Sequence, residues 1–517
     1  MKDLTSSIYT FENLIKGNFL YVDKTEYIWQ LIKPASEMYF LSRPRRFGKS
    51  LTLSTLKAVF EGKKELFKGL ALHDKPYDWK PYPIIHLDLA NCDAHSEDAL
   101  RDYLAKMMAK LAEQHNVKVS IDRTQVASSF SDLIEAVAQN DSVVILLDEY
   151  DKPILENITN PAVSSIRNTL ADFYSSIKKE AEYERLVFIT GVTKFCHVSL
   201  FSKLNNLTDL TMDARFATML GYTQEELEMY FADRLASLAG KQDIDELKRE
   251  IKKWYDGYRF EKNAKTVYNP VSLVKFFQSG GDFSNYWFST GTPTFLLEAI
   301  SKQRFNLEQA LAEPVANFAF DAYDIGNLNP LTLLLQTGYL TIDCAVRRFG
   351  ATAYRLRFPN LEVKDSFETY LAGHCSGLFN DQVKDSVFRL ADAVTAGDVD
   401  GFMETMKVFF AKVPYDVHLK DENNFQLLFF SIFMLLGISI TAESRTNSGR
   451  IDAVAANEDY VFVFEFKLDK GKELALEQIK ERDYCRRYLN SGKQIRLIGV
   501  NFDKEAGQIC DWVVQAI

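Results

Sequence analysis

The chain has 517 residues and a formal net charge of -10 at pH 7, from 61 basic and 71 acidic side chains. Hydrophobic residues make up 47% of the sequence and charged residues 26%, which excludes collagen-like and disordered classes and predicts several packed domains. The acidic balance excludes binding of nucleic acid or anionic membrane through overall charge, so any nucleic-acid contact must be local.

The N-terminal half begins with a pattern typical of a parallel sheet. Short apolar runs at 38–41, 84–88, 143–147 and 186–190 alternate with longer helical stretches. Each run is apolar on both faces, as strands covered by helices on both sides should be. We therefore predict a doubly wound α/β domain over 1–220, a parallel sheet flanked by helices.

The middle of the chain is predicted to be helical. Thr223 stands three residues before Glu226, the spacing of a capping box, at the start of an amphipathic stretch over 224–239. We predict a helical accessory region over 221–345 and a helical connector over 346–410.

The last hundred residues form a separate predicted unit over 411–517. Its order is helix, three strands, helix, strand (αβββαβ), which is compact enough for one small domain. The apolar run over 425–440 contains Gln426, two serines and a glycine, so we interpret it as a buried helix running into a strand rather than a membrane span. We expect no membrane partner. The predicted elements are a helix over 422–436, strands over 438–445, 450–455 and 460–468, a helix over 472–489 and a strand over 495–501.

Two features of the chain bear on its compartment. The six cysteines show no CxxC pair, which favours a reducing compartment and argues against structural zinc. The first residues lack the charged, apolar and small-residue regions of a secretory leader, so we expect a cytoplasmic protein. The sequence does not exclude oligomerisation.

A phosphate-binding motif follows the first predicted strand. Gly48-Lys49-Ser50 opens a helix, offering backbone N–H groups, a lysine charge and a hydroxyl for Mg²⁺. Arg43 replaces the first glycine of GxxxxGK[ST], and a non-glycine residue resists positive φ. On this motif alone, a helix N-terminus beside a basic surface loop stays open as an alternative. The predicted nucleotide contacts in the loop are Arg46, Phe47, Gly48, Lys49, Ser50 and Leu51.

Polar residues also follow two later strands. Asp148 suits Mg²⁺ coordination together with Ser50, and Glu149 suits activation of the attacking water. Thr190 and Thr193 are placed where they could sense a phosphate or that water, although ordinary strand-end hydroxyls explain them almost as well. A solvated acidic turn explains residues 148–151 in isolation, but not their pairing with the glycine-lysine-serine motif.

A second constellation lies in the C-terminal unit. Glu465 and Lys467 share one face of a strand, and a tight hairpin would set Asp452 beside them. Two close carboxylates need a metal, a proton or a lysine. The alternative is an exposed strand pair with alternating charge, but ionised groups in so apolar a strand need partners. Residues 441–490 contain nine basic and ten acidic side chains, so no broad basic platform is present.

Six stretches together resemble the AAA-ATPase-like family of bacterial proteins, whose members commonly end in a PD-(D/E)xK nuclease-like domain. The resemblance implies ATP and Mg²⁺ as cofactors, and the arginine-rich loop looks like the family's own variant of the phosphate loop. The stretches are YVDKT at 21–25, RPRRFGKS at 43–50, LDEYD at 147–151, ITGVTKF at 189–195, YDGY at 255–258 and STGTP at 289–293.

The C-terminal pattern has twelve residues between Asp452 and Glu465. It resembles the PD-(D/E)xK nuclease signature, which belongs to a restriction-endonuclease-like αβββαβ fold. The resemblance implies that the two acids hold Mg²⁺ and that Lys467 positions or activates water. Glu422 matches the first acidic position, and Gln478 with Tyr484 look like a supporting element.

Two functions follow from these patterns. The first is a P-loop ATPase whose nucleotide cycle controls a Mg²⁺-dependent nuclease-like domain acting on DNA or RNA. The second is a nucleotide-gated binding or signalling module whose nuclease-like domain does not cut. The four residues Glu422, Asp452, Glu465 and Lys467 favour the first function, whereas the near-neutral charge around them favours the second.

Overall fold

The computed structural model divides the chain into two compact units, Met1–Trp287 with Pro314–Asn360, and Phe288–Glu313 with Leu361–Ile517. None of the helices in the described part of the chain combines the length and apolar character needed to cross a membrane. The structure describes residues 1–139, 141–194, 206–240, 243–287, 296–297, 307–316, 329–413, 422–439, 441–447, 450–468, 471–481, 492–503 and 508–517.

The first unit is built on a sheet of five parallel strands in the order β2-β3-β4-β1-β5. The four predicted strands are all present, which confirms the predicted parallel sheet. One strand, β4, separates β1, which leads into the phosphate loop, from β3, which leads into the acidic turn. The strands are β1 (Met38–Ser42), β2 (Ile84–Asp88), β3 (Val143–Asp148), β4 (Glu184–Gly191) and β5 (Thr208–Asp209).

Helices pack on this sheet because its strands are apolar on both faces. All residues of β1 and β3 are buried, and the rings of Phe130 and Phe173 stack with centroids 4.4 Å apart between two of the helices. The helices of this region are α1 (Phe11–Lys16), α2 (Thr25–Ile32), α3 (Lys49–Phe60), α4 (Glu97–Gln114), α5 (Val126–Ala138), α6 (Lys152–Leu155) and α7 (Val163–Lys179).

The middle of the chain is mainly helical, as predicted. The Thr223 and Glu226 capping box forms in full, but the single helix expected over 224–239 divides at Phe231. Phe231 is buried in a core with Tyr255 and Phe276. The helices are α8 (Gln224–Tyr230), α9 (Ala232–Ala239), α10 (Ile244–Tyr255), α11 (Pro270–Gln278), α12 (Leu307–Ala312) and α13 (Pro330–Thr337).

A small sheet interrupts this helical region, and the sequence did not indicate it. It contains β6 (Val315–Ala316), β7 (Thr341–Arg348) and β8 (Ala351–Arg357) in the order β6-β8-β7. The predicted boundary between accessory region and connector, 345/346, falls inside β7. The turn of the β7–β8 hairpin is Phe349-Gly350, which lacks the asparagine or aspartate that usually marks such a turn in a sequence.

The second unit confirms the predicted order and adds a strand. Its sheet has the order β13-β12-β11-β10-β9, with β11 and β12 parallel and the other pairs antiparallel. The last strand, β13, was not predicted. The helix expected over 472–489 is described as far as Glu481, and the rest lies outside the described residues. The elements are α14 (Leu361–Ser376), α15 (Asn380–Ala396), α16 (Val399–Lys412), α17 (Glu422–Ser439), β9 (Thr441–Asn447), β10 (Arg450–Ala456), β11 (Tyr460–Leu468), α18 (Lys472–Glu481), β12 (Gln494–Asp503) and β13 (Gln508–Ala516).

Buried hydrogen bonds tie the ends of β3 and β4 together. The Asp151 carboxylate accepts from the Val192 and Thr193 amides and, at 2.6 Å, from the Thr193 hydroxyl. The Tyr150 hydroxyl donates to the Thr193 carbonyl at 2.8 Å. Gly191 permits this approach, because a Cβ atom there would lie 2.4 Å from Asp151 Oδ1 and 2.5 Å from the Tyr150 ring.

The substitution Gly191→Ala should therefore lower the free energy of unfolding by about 1–3 kcal/mol, the usual cost of forcing an extra methyl into a packed interior. Urea denaturation followed by tryptophan fluorescence measures the change. An unaltered midpoint would contradict the close packing of this strand end.

Candidate nucleotide and metal sites

The phosphate loop connects β1 to α3 and ends in a left-handed glycine. Gly48 has φ +96° immediately before the helix begins at Lys49, and Arg46 has φ +67°. The first turn of a helix presents backbone N–H groups and a partial positive charge, which suit an anion. The loop conformation therefore places an anion-binding helix end directly after β1.

Arg43 anchors the loop instead of supplying the flexibility of a glycine. Its guanidinium is buried and donates to the carbonyls of Ser42 at 2.9 Å, Thr211 at 2.8 Å and Phe216 at 3.4 Å. It also lies 4.1 Å from the centre of the Phe260 ring. Burial lowers the pKa of Arg43 to about 9, so the side chain stays protonated at neutral pH. Arg43 is not among the residues with positive φ, which removes the conflict that its presence in the motif suggested.

Lys49 is held inside the loop. Its side chain is only 3% exposed, and Nζ lies 3.6 Å from Glu149 Oε1. The ammonium also donates to the carbonyls of Arg43 at 3.2 Å and Pro44 at 3.3 Å. A phosphate group at this helix end would compete with these weaker acceptors for the lysine charge.

Asp148 is the last residue of β3 and Glu149 follows it, on the other side of the same site. Burial, followed by the neighbouring Glu149 charge, raises the pKa of Asp148 to about 6, while a hydrogen bond with the Ser50 side chain opposes the rise. Glu149 has φ +51°, a conformation that costs energy for a side chain of this kind. A buried carboxylate beside a hydroxyl and a second acid fits a divalent cation, because added positive charge would offset the cost of ionising Asp148.

A cavity of about 440 Å³ opens over this loop. We call it the loop cavity. We call the part lined by the phosphate loop and Glu149 its polar end, and the part lined by segment 4–9, the region of Tyr222 and the start of α11 its apolar end. Residues 46–52 and Glu149 line it together with the N-terminal segment 4–9, Leu14, Leu20, Tyr21, Val22, Lys24, Ile28, Thr55, Met219, Leu220, Gly221, Tyr222, Phe231, Pro270, Val271 and Val274.

The loop residues predicted to contact nucleotide all line this cavity. The strand-end threonines do not. The Thr190 hydroxyl donates to the Leu41 carbonyl at 2.8 Å, and the Thr193 hydroxyl to Asp151. Both hydroxyls thus have structural acceptors. Phe47 lines the cavity, but its ring also packs edge-to-face on Tyr258 and Phe260, at centroid distances of 4.8 and 5.4 Å.

Sequence reasoning missed the apolar end of the cavity. The N-terminal segment 4–9 and the start of α11 lie far from the motif in sequence and show no periodicity that would assign them to a site. Lys24 could have been found from the sequence, because it lies in the YVDKT stretch at 21–25 that resembles the family. Its ammonium donates to the Thr218 carbonyl at 2.9 Å and pairs with Glu226 at 2.6 Å.

The C-terminal constellation lies in the β10–β11 ladder, where position 452 pairs with 465 and position 450 with 467. Glu465 is fully buried, and its Oε1 lies 3.0 Å from the Lys467 ammonium. Asp452 lies in β10, and Glu422 is the first residue of α17. The side chains of both residues lie outside what the structure describes.

The remaining predicted support residue is Gln478. Its buried Oε1 has no hydrogen-bond partner among the described residues. Tyr484 lies outside them. Within the described ranges no group of three or more His, Cys, Asp or Glu side chains could hold a metal. A buried acid held by lysine, opposite the position of a second acid, still fits a divalent cation in its donor chemistry.

Comparisons with known proteins assign families to two parts of the chain. A family model described as "Predicted AAA-ATPase" matches residues 6–201, and one described as "PD-(D/E)XK nuclease superfamily" matches residues 420–512. The relative named "Uncharacterized protein in vnfD 5'region", from Azotobacter chroococcum mcd 1, is 36% identical over 537 residues, covering 100% of this chain and 99% of its own. The chain belongs to the AAA-ATPase-like family. Its C-terminal domain is of the PD-(D/E)XK nuclease superfamily.

One solved structure also matches this chain at low similarity. The AAA-ATPase-like chain matches "Structure of the Aeropyrum Pernix ORC2 protein (ADPNP-ADP complexes)" with 12% sequence identity and a TM-score of 0.26. The match covers 69% of this chain and 91% of the other.

The raised pKa of Asp148 predicts a pH-dependent effect on stability. Because the folded-state pKa of about 6 exceeds the ordinary value of 3.8, the folded chain holds this proton more tightly than the unfolded chain does. Ionisation of Asp148 therefore destabilises the fold as pH rises through that interval. Without Mg²⁺, Asp148→Asn should raise the free energy of unfolding by up to about 3 kcal/mol near pH 7.5, and by less near pH 5.

Thermal melts at the two pH values measure this difference. Asp141→Asn is the control, because Asp141 is exposed and pairs with Lys80 at 2.7 Å, which lowers the pKa of its carboxyl group. Asp141→Asn should not raise the free energy of unfolding at either pH value. An equal gain for Asp148→Asn at both pH values would contradict the role of burial.

Proposed function

We propose that this protein is an ATPase whose nucleotide cycle controls Mg²⁺-dependent cleavage of DNA or RNA by its C-terminal domain. One observation carries the proposal: the N-terminus of α3, Lys49, Ser50 and Glu149 all line one cavity about 440 Å³ in volume, and Asp148 lies behind it, hydrogen-bonded to Ser50. These are the groups that hold a triphosphate and activate water for its hydrolysis.

The phosphates of ATP would lie at the polar end of the loop cavity. Lys49 would exchange its two carbonyl acceptors for phosphate oxygens, and the N–H groups at the start of α3 would bind the same charge. Glu149, released from its 3.6 Å contact with Lys49, would orient and deprotonate the attacking water. Ser50 and Asp148 would hold Mg²⁺, which supplies charge neutralisation for the phosphates when bound.

The base and ribose would occupy the apolar end. The side chains there come from three separate parts of the first unit: the N-terminal segment, the region of Tyr222 and the start of α11. A flat aromatic base suits such a lining, because burial of its faces removes apolar surface from water. Nucleotide binding would therefore join these segments around one ligand.

In the C-terminal domain, Asp452 and Glu465 would hold Mg²⁺, with Glu422 as a further ligand. The ion, when bound, would polarise the scissile phosphate. Lys467 would then position the attacking water and stabilise developing negative charge. The match to the PD-(D/E)XK superfamily and the 3.0 Å contact between Lys467 and Glu465 support these roles.

A non-cutting C-terminal domain is the second candidate. Glu465 is fully buried and already paired with Lys467, an arrangement that a purely structural ion pair would also adopt. In that case the nucleotide cycle would control binding of a partner rather than cleavage.

The ATPase proposal predicts different defects for two variants. Lys49→Ala should weaken ATP binding by about 1.5–3 kcal/mol, because a charge-assisted phosphate contact is lost. Glu149→Gln should keep the affinity for ATP but lower hydrolysis by about 10²–10⁴-fold, since the amide cannot take a proton. Calorimetric titration with ATP and a phosphate-release assay separate the two effects.

Lys57→Ala is the control for the lysine variant, because Lys57 lies on the same helix with a half-exposed side chain. Glu156→Gln is the control for the acid, since Glu156 pairs with Lys152 at 2.9 Å. Unchanged affinity and turnover in Lys49→Ala would reject the phosphate-loop assignment. Lost binding in Glu149→Gln would reject the role of Glu149.

The nuclease proposal predicts that Asp452→Asn abolishes Mg²⁺-dependent cleavage of single- and double-stranded DNA and RNA. The variant should also lose any Mg²⁺-induced rise in melting temperature while melting no lower than the natural chain without the ion, because one of two repelling acids is removed. Cleavage assays with and without ATP, together with thermal melts, measure these effects.

Asp459→Asn serves as the control, since Asp459 lies exposed in the turn between β10 and β11. It should cleave normally. If the natural chain shows neither cleavage nor a response to Mg²⁺ or Mn²⁺, the non-cutting candidate replaces the nuclease.

A further inference from the structure

The β7–β8 hairpin ends in an unusual turn. Arg348 and Ala351 form its last pair, so Phe349 and Gly350 are the two turn residues. Both have positive φ, +50° and +82°. Two-residue turns of this kind strongly favour Asn-Gly, Asp-Gly or Gly-Gly, because asparagine, aspartate and glycine tolerate the left-handed conformation.

Phe349 is disfavoured here for two independent reasons. Its aromatic side chain resists the left-handed backbone that the turn requires. It also gains nothing from burial, because the side chain is fully exposed to solvent. Neither local conformation nor burial therefore favours a phenylalanine at this tip, and a strained residue of this kind points to contact with another molecule.

The hairpin is also strongly basic on an acidic chain. Residues 341–357 contain four arginines against one aspartate, although the whole chain has a net charge of -10. Arg357 has a structural role, because it lies 3.3 Å from Asp343 and donates to the Phe358 and Pro359 carbonyls. The other arginines, Arg347, Arg348 and Arg355, are exposed. Arg347 and Arg348 directly precede the exposed ring, and Arg355 lies further along the hairpin, opposite Cys344.

We infer that the tip of this hairpin is a contact surface for single-stranded nucleic acid. The exposed arginines would bind backbone phosphates, and the Phe349 ring would stack on an unpaired base. A duplex could use the arginines but not the ring, since its bases are already stacked. The inference rests on the proposed function, in which nucleic acid is the substrate. It supplies the basic surface that residues 441–490, with nine basic and ten acidic side chains, do not provide.

The experiment measures binding of the full chain to fluorescein-labelled 20-nucleotide DNA and RNA, single- and double-stranded, by anisotropy in EDTA. Phe349→Asn removes the ring but suits the turn. It should weaken single-strand binding about tenfold, leave duplex binding and the salt slope unchanged, and melt at an equal or higher temperature. Arg347→Ala with Arg355→Ala should weaken both forms and reduce the slope of log affinity against log salt by about 1.4 for single strands.

Phe379→Ala and Arg249→Ala are matched controls, because both side chains are exposed and lie outside the hairpin. They should bind as the natural chain does. Equal affinity of the hairpin variants and the natural chain would overturn the inference and leave the proposed function standing. Hairpin-dependent binding to anionic phosphatidylserine vesicles, with none to oligonucleotides, would also overturn it.

The outcomes distinguish this inference from the proposed function. If the natural chain binds neither DNA nor RNA, the inference and the nucleic-acid part of the proposed function both fail, whereas ATP hydrolysis is unaffected. If the hairpin variants lose binding but Mg²⁺ produces no cleavage in the natural chain, the inference stands and the cutting activity fails.

Discussion

The phosphate loop depends on one buried cation. Arg43 occupies the position where a phosphate loop ordinarily has a glycine, and its guanidinium is removed from water. The carbonyls of Ser42, Thr211 and Phe216 and the face of Phe260 replace much of the hydration that this burial removes. These contacts tie the exit of β1 to the segment after β5. The left-handed torsions then fall on Arg46 and Gly48, and α3 can begin at Lys49 with its N-terminus open to the loop cavity.

The acidic side of the site depends on a second set of buried hydrogen bonds. Asp151 accepts three hydrogen bonds from Val192 and Thr193, and this joins the ends of β3 and β4. Because β4 lies between β1 and β3, these hydrogen bonds hold Asp148 and Glu149 one strand away from the phosphate loop. The same packing removes Asp148 from water and raises its pKa. Ionised Asp148 therefore lowers the stability of the fold, and in the proposed function a bound cation would offset this cost.

The C-terminal acid and lysine constellation and the basic hairpin lie in different units of the chain. The C-terminal constellation is compact and nearly neutral in its surroundings, with Glu465 and Lys467 paired in a strand of aromatic and aliphatic residues. The exposed arginines and the unpaired aromatic tip lie in the first unit, on the β7–β8 hairpin. In the proposed function, a nucleic-acid strand would be bound by the first unit and cleaved by the second, so the nucleotide would affect strand binding as well as cleavage.

The sequence alone determined those features that depend on short-range patterns. Continuous apolar runs located four strands of the parallel sheet, the Gly48-Lys49-Ser50 motif located the phosphate loop, and strand alternation with hairpin spacing set Asp452 opposite Glu465. Only the tertiary structure decided what depends on contacts between distant segments. It gave the Thr190 and Thr193 hydroxyls structural acceptors, brought residues 4–9 to the cavity and left Phe349 in solvent. The physical reason is that periodicity records which face of an element is buried, whereas a hydrogen-bond partner or a cavity wall is fixed only when remote parts of the chain pack together.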